Sequence, residues 1–162
     1  SNIYAIGDVA GPPWLAHKAS AQGHMVADLI GGESVHEIDY FNIPNCTYCQ
    51  PQVGSLGLTE SKAKDLGHNI KVGKFFFRAS GKAMAVGNTF GFVKLIFDDR
   101  YGELIGAHII GDGATEMIAE LNMAKALEST WEDLAMTMHA HPTLSEAVME
   151  AAMDAFGSAI HQ

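Results

Sequence analysis

The chain has 162 residues, 48% of them apolar and 18% charged, where an average soluble domain carries about 25% charged residues. Ten Lys and Arg against nineteen Asp and Glu leave a formal net charge of -9, which repels phosphate backbones and excludes the basic stripe that nucleic-acid binding needs. No apolar run approaches the roughly 18 residues of a membrane helix, and no basic, hydrophobic leader opens the chain, so a soluble protein without membrane or nucleic-acid partners is expected. Two cysteines, Cys46 and Cys49, cannot staple a domain of this size, and a reducing, cytoplasmic setting is the default.

In chain order, the first region runs to about Gly32. It holds a short apolar strand, Ile3-Tyr4-Ala5-Ile6, a Gly7-Asp8 turn, a Gly-Pro-Pro loop, and a helix over 15–30 ended by Gly31-Gly32. One strand and one helix cannot bury both faces of either, because a parallel strand needs neighbours on each side. The segment reads as a strand-helix remnant of an α/β sheet. Residues 33–51 are irregular.

Beyond them the apolar period alternates between two and 3.6, the pattern of one α+β unit in which helices flank an antiparallel sheet. Strands are predicted over 53–58, 70–77, 92–97 and 104–110, the last two joined by the polar loop Asp98-Asp99-Arg100-Tyr101-Gly102. A short helix over 61–66 follows Thr59 as its N-cap and stops at Gly67. A helix over 114–128 places Met117, Ile118, Leu121, Ala124 and Leu127 on one stripe. A second, short helix follows Thr130, and the last covers 144–156. That last helix has two apolar rows, Leu144, Val148, Ala151 and Ala155 on one side and Met149, Met153 and Phe156 on the other. One small domain cannot easily cover both. Six of the eight methionines fall between Met117 and Met153, where thioethers suit either a core or an adaptable subunit interface. The domain division expected is 1–35 and 36–162.

His139-Ala140-His141-Pro142-Thr143-Leu144-Ser145-Glu146 is the densest cluster of titratable groups beside a rigid element. Thr143 and Glu146 have the spacing of a capping box, which gives the carboxylate a structural role. The same carboxylate could meet one nitrogen of His141, fix its tautomer and leave the other nitrogen free to take a proton, as a general base requires. Pro142 restricts His141 as the preceding residue. As metal ligands, His139 and His141 lack a third donor at a recognised spacing, so no metal is expected. Cys46-x-x-Cys49 lacks the helix N-terminus that lowers a thiol pKa in redox pairs and reads as two structural residues in an extended stretch. His108 reads as a satisfied sheet residue. No G-x-G-x-x-G is present. Gly7-Asp8 at a strand end, with a helix to follow, fits a ligand site beyond the carboxyl edge of a sheet, or simply a turn and a cap.

Taken together, these segments resemble the C-terminal part of the flavin-dependent pyridine nucleotide-disulfide oxidoreductase family, over essentially the whole chain. Ile3-Tyr4-Ala5-Ile6-Gly7-Asp8 is similar to the family's second flavin motif, whose Asp holds the ribityl chain. Trp14-Leu15-Ala16-His17-Lys18-Ala19 is similar to the helix start that faces the flavin ring, with Trp14 where a smaller, often methionine, side chain is usual. His141-Pro142-Thr143-Leu144-Ser145-Glu146 resembles the catalytic signature, and its Leu-Ser-Glu-Ala form points to the lipoamide branch.

The resemblance implies His141 as base and Glu146 as its partner, with Gly7, Asp8, Trp14, Leu15, Ala16 and His17 contributing to a cofactor site. It implies oxidation of dihydrolipoamide with NAD through FAD and a redox disulfide. It also implies a homodimer, and lipoyl domains of 2-oxo acid dehydrogenase or glycine cleavage complexes as partners. The family's redox Cys-x-x-x-x-Cys, N-terminal flavin motif and nicotinamide domain have no counterpart in this sequence. The expectation is therefore a dimerisation domain with the tail of a flavin domain, inactive and without retained FAD or NAD when alone. The alternatives are a non-catalytic dimerisation module and a small metal-dependent hydrolase.

Overall fold

A computed structural model describes residues 2–161; Ser1 and Gln162, the outer limits of the two predicted domains, lie outside the described residues. The chain forms two compact units, Ser1–Ile43 and Pro44–Gln162.

In the first unit a 3-10 turn, Gly7–Ala10, precedes helix α1, Ala16–Gly31. The helix stops where Gly32 adopts the left-handed conformation (φ 75°) and its N–H returns to the Leu29 carbonyl, the usual glycine stop. The strand expected over Ile3-Tyr4-Ala5-Ile6 is not formed. Among the described residues of this unit there is no second strand to give it a ladder. A further 3-10 turn, Tyr40–Asn42, is closed by the Asp39 carboxylate accepting from the Phe41 N–H.

The second unit is α+β. Strands β1 (Asn45–Thr47), β2 (Gln52–Gly57), β3 (Ile70–Phe76), β4 (Gly91–Asp98) and β5 (Leu104–Gly111) form one antiparallel sheet in the order β1-β2-β5-β4-β3. The β4–β5 hairpin closes as predicted. Asp98 Oδ1 accepts from the N–H groups of Arg100 and Tyr101, and Gly102, at φ 73°, donates to the Asp98 carbonyl. Helix α2, Glu60–Asp65, is capped by Thr59, whose hydroxyl accepts from Lys62 N–H, and Gly67 follows at φ 85°. The sequence pattern missed two elements, β1 and helix α3 (Gly81–Val86). Both are too short to show a period. Helix α5, Trp131–Met136, opens on a reciprocal capping box between Thr130 and Asp133.

Helices α4 (Ala114–Ala126) and α6 (Glu146–Ala155) cover one face of the sheet, α4 over β2 and β5, α6 over β3 and β4. Val93, Leu95, Phe97, Ala107 and Ile109 point from the strands into that layer and meet Ile118, Leu121, Val148 and Ala151. On the other face, Ala63 of α2 packs with Leu58, Ile96 and Ile105. Gly73 explains how closely α6 approaches: a Cβ there would run into the carbonyl oxygen of Ala151 and lie 2.6 Å from the amide nitrogen of Ala155. A strand glycine of this kind marks backbone-to-backbone contact. Asp154 of α6 completes the seam by accepting from the Lys74 N–H at 2.8 Å.

The first apolar row of α6 is covered within the unit, whereas in the second only Phe156 packs on the core and Met149 and Met153 stay half-buried. Val148 and Ala151 are buried, and Phe156 stacks on Trp131 with ring centroids 4.5 Å apart while meeting Phe97 edge-on at 6.0 Å. Helix α5 supplies the surface that covers Phe156. The apolar excess lies elsewhere: of the six clustered methionines only Met117 is buried, and Met123, Met136 and Met138 are exposed.

Candidate functional site

The loop 137–145 joins α5 to α6 and carries the His-Pro-Thr-Leu-Ser-Glu run. Its geometry is set by Glu146, the first residue of α6. Glu146 Oε1 lies 2.9 Å from His141 Nδ1, and Oε2 accepts the Thr143 N–H at 2.8 Å. The expected capping box is only half formed. The Thr143 hydroxyl turns back to the Ala140 carbonyl at 2.7 Å, and Ser145 takes the N-cap position without a side-chain cap bond. The two roles offered by the sequence therefore coexist in one carboxylate, each oxygen serving one of them.

The Thr143 N–H, foremost, and then His141 hold the Glu146 carboxyl below its usual range despite some burial. An ionised carboxylate at Nδ1 favours a proton on that nitrogen and stabilises the imidazolium. Among the described residues Nε2 of His141 has no hydrogen bond, and the side chain is 79% exposed. The pair opens on a cavity of about 290 Å³ whose walls include Phe75, Met84 and Met149.

The sequence pattern gave no role to His68 or His161, yet each meets a carboxylate. His68 Nδ1 is 3.0 Å from Asp98 Oδ2, and His161 Nδ1 is 2.5 Å from Glu150 Oε1 on the same cavity wall. Glu150 is buried and also accepts the N–H groups of Ile160 and His161. His108 is the satisfied sheet residue expected, with Nε2 3.1 Å from the Leu58 carbonyl. Both cysteines are free, Cys46 in β1 and Cys49 exposed after it. Burial pushes the Cys46 thiol up, the opposite of redox activation. No three His, Cys, Asp or Glu side chains among the described residues gather as a metal site. No helix among them is long and apolar enough to cross a membrane.

In the first unit, Gly7 is held from both sides. Its N–H donates to Gln22 Oε1 at 2.8 Å, and Lys18 Nζ donates to the carbonyls of Gly7 (2.9 Å) and Gly11 (2.8 Å). Gln22 Nε2 in turn donates to the Tyr40 hydroxyl at 2.8 Å. Lys18 is only 1% exposed, and a buried ammonium is tolerated because carbonyl oxygens surround it. Helical periodicity gives no warning of such a lysine. Asp8 remains exposed in the turn, Trp14 is 71% exposed, and Leu15, Ala16 and His17 form the opening of α1, which has no side-chain cap bond.

The fold and loop define a class. Residues 43–152 match the family profile described as pyridine nucleotide-disulphide oxidoreductase, dimerisation domain, and the chain belongs to that family. Its relatives include the dihydrolipoyl dehydrogenases of Rhizobium etli, 52% identical over 99% of this chain and 34% of the relative, and of Bacillus subtilis, 47% identical over 99% and 34%. The chain thus spans about a third of the length of the curated relatives it matches. Among solved structures it is similar to LpdA of Mycobacterium tuberculosis, with TM-score 0.87, 27% identity, and 93% of this chain against 33% of that one covered. It is also similar to the HOCl-induced flavoprotein disulfide reductase RclA of Escherichia coli, with TM-score 0.86, 26% identity, and 93% against 35% covered.

Proposed function

We propose that this chain is the acid-base and dimerisation end of a dihydrolipoyl dehydrogenase, which oxidises dihydrolipoamide with NAD as the final acceptor. The observation that carries the reading is the bond from Glu146 to Nδ1 of His141 with Nε2 left open on an exposed imidazole. Nε2 takes the proton of a substrate thiol, and Glu146 stabilises the resulting imidazolium by charge. The thiolate so formed attacks one sulfur of a redox disulfide and releases the other as thiolate. Cys46 with Cys49 is not assigned as that disulfide, because burial pushes the Cys46 thiol up rather than down.

The first unit fits FAD. The carbonyls of Gly7 and Gly11 are turned inward onto Lys18, the exposed Asp8 carboxylate would accept from ribityl hydroxyls, and the opening of α1 has amides without a side-chain cap. Gly7, Asp8, Trp14, Leu15, Ala16 and His17 would contribute to holding it. When bound, the flavin carries electrons from the dithiol toward NAD. On this reading residues 1–35 belong to the flavin unit and 36–162 to the interface unit of a cytoplasmic homodimer, with 36–43, which here fall within the first compact unit, leading from one to the other. Exposed Met136 and Met138, just ahead of His141, support an apolar protein contact there. The lipoyl domains of 2-oxo acid dehydrogenase or glycine cleavage complexes are the partners that bring the dithiol.

His141→Gln in the enzyme that contains this chain tests the reading. Dihydrolipoamide-dependent NAD reduction should fall by about 10²-fold or more, the scale of a lost general base. Unchanged turnover would overturn it.

A further inference from the structure

The base mechanism uses His141 and leaves His139, two residues away, without a role. His139 is nevertheless the more deeply built of the two, its side chain only 5% exposed. Nδ1 is 2.9 Å from the Thr137 carbonyl, and Nε2 is 2.6 Å from Oε1 of Glu120 on α4. A carbonyl only accepts, so Nδ1 donates to it. A proton must also lie on the short line to Glu120, whichever group holds it. Neither ring nitrogen is then open to a substrate.

The rest of the loop depends on local bonds. The Thr137 hydroxyl donates to the Asp133 carbonyl at 2.7 Å, the Thr143 hydroxyl donates to Ala140, and Glu146 reaches back to His141 and Thr143. All of these partners lie in α5, in the loop or at the start of α6. The bond from His139 to Glu120 reaches outside this local set to α4, which is itself packed on β2 and β5.

We propose that Glu120 and His139 form a latch that fixes the loop to α4 and so holds His141 where Glu146 can orient it, both being positioning residues. The proposal rests on the reading of His141 as the base. A short bond whose imidazole is shielded from water is the kind that holds a loop in register, because water competes poorly for the buried ring nitrogens.

The test uses the 162-residue chain, ¹⁵N-labelled, and reads the His141 ring nitrogens by long-range ¹H–¹⁵N correlation together with amide exchange at Thr143. Glu120→Ala removes the latch. His139→Asn keeps a donor for the Thr137 carbonyl and drops only the link to Glu120. Both should speed Thr143 exchange about tenfold, the scale of one lost hydrogen bond, and should blur the His141 Nδ1–H signature while amides of β4 and β5 keep their protection. Glu120→Gln, which retains an acceptor oxygen, should restore part of both signals. Unchanged Thr143 exchange and an unchanged His141 signature in both disruptive variants would overturn the latch. A parent chain whose His141 carries no Nδ1 proton would instead sink the base reading, so the two failures are told apart.

Discussion

Glu146 gives one oxygen to His141 Nδ1, at 2.9 Å, and the other to the Thr143 N–H, at 2.8 Å. A capping carboxylate and an imidazole partner are usually weighed as rival explanations of a Glu in a first helical turn. Here the backbone bond fixes the carboxylate and the carboxylate fixes the ring. The result is an imidazole with a defined tautomer and one exposed nitrogen.

Nucleophilic access follows from that arrangement. Diethyl pyrocarbonate reacts with an unprotonated, unblocked ring nitrogen, so His141 should be modified at least about tenfold faster than His139, whose nitrogens are both engaged. Peptide mapping by mass spectrometry reads both sites in one sample. Equal rates would contradict the structure of the loop.

The seat of α6 on the sheet is equally testable. Gly73→Ala must displace either the Ala151 carbonyl or strand β3, and it should cost about 3 kcal/mol, at the upper end of ordinary overpacking. Denaturant midpoints measure the loss. A cost below about 0.5 kcal/mol would show that α6 does not approach so closely.

Much of this fold is legible in the sequence because the second unit buries one clear face. Strands β4 and β5, the Asp98 turn and the Thr59 cap appear where the pattern places them. Met117, Ile118, Leu121 and Ala124 of the α4 stripe are buried, but Leu127, expected on that stripe, lies past the end of the helix and is exposed. The strand over Ile3-Tyr4-Ala5-Ile6 does not form, since its hydrophobicity answers to neighbours the unit lacks. Helix α3 could have been found: the Ser80 hydroxyl accepts from the Ala83 N–H, and Gly87 ends the helix at φ 73°. Buried Lys18 and Gln22 and the Glu120–His139 pair could not, because their partners are distant in sequence.

His108 makes a prediction about pH. Burial foremost, and then the charge of Lys94, hold it below the ordinary histidine value of 6.5, while the Leu58 carbonyl and Glu60 pull the other way. As pH falls, the unfolded chain therefore takes up this proton before the folded one does. Its contribution to stability is complete above about pH 6.5 and is lost as pH falls through the folded value. Comparing thermal midpoints at about pH 7.5 and about pH 5.5, His108→Gln should lose less on acidification than the parent does. An equal or larger loss would contradict this.

The exposed methionines predict association. Light scattering should give the chain a mass of twice 17.3 kDa, and Met136→Asp with Met138→Asp should shift it to the single mass while leaving the sheet intact. A monomeric parent would contradict the interface reading.

Turnover of Glu146→Gln in the enzyme that contains this chain tests the central claim most directly. The amide oxygen still accepts the Thr143 N–H, so the thermal midpoint should stay within about 2 °C of the parent, as for a surface change of a few tenths of a kcal/mol. Dihydrolipoamide oxidation should nonetheless fall at least about tenfold, because a neutral amide cannot stabilise the imidazolium by charge. Near-normal turnover at unchanged stability would mean that Glu146 only shapes the start of α6, and the acid-base account would be wrong.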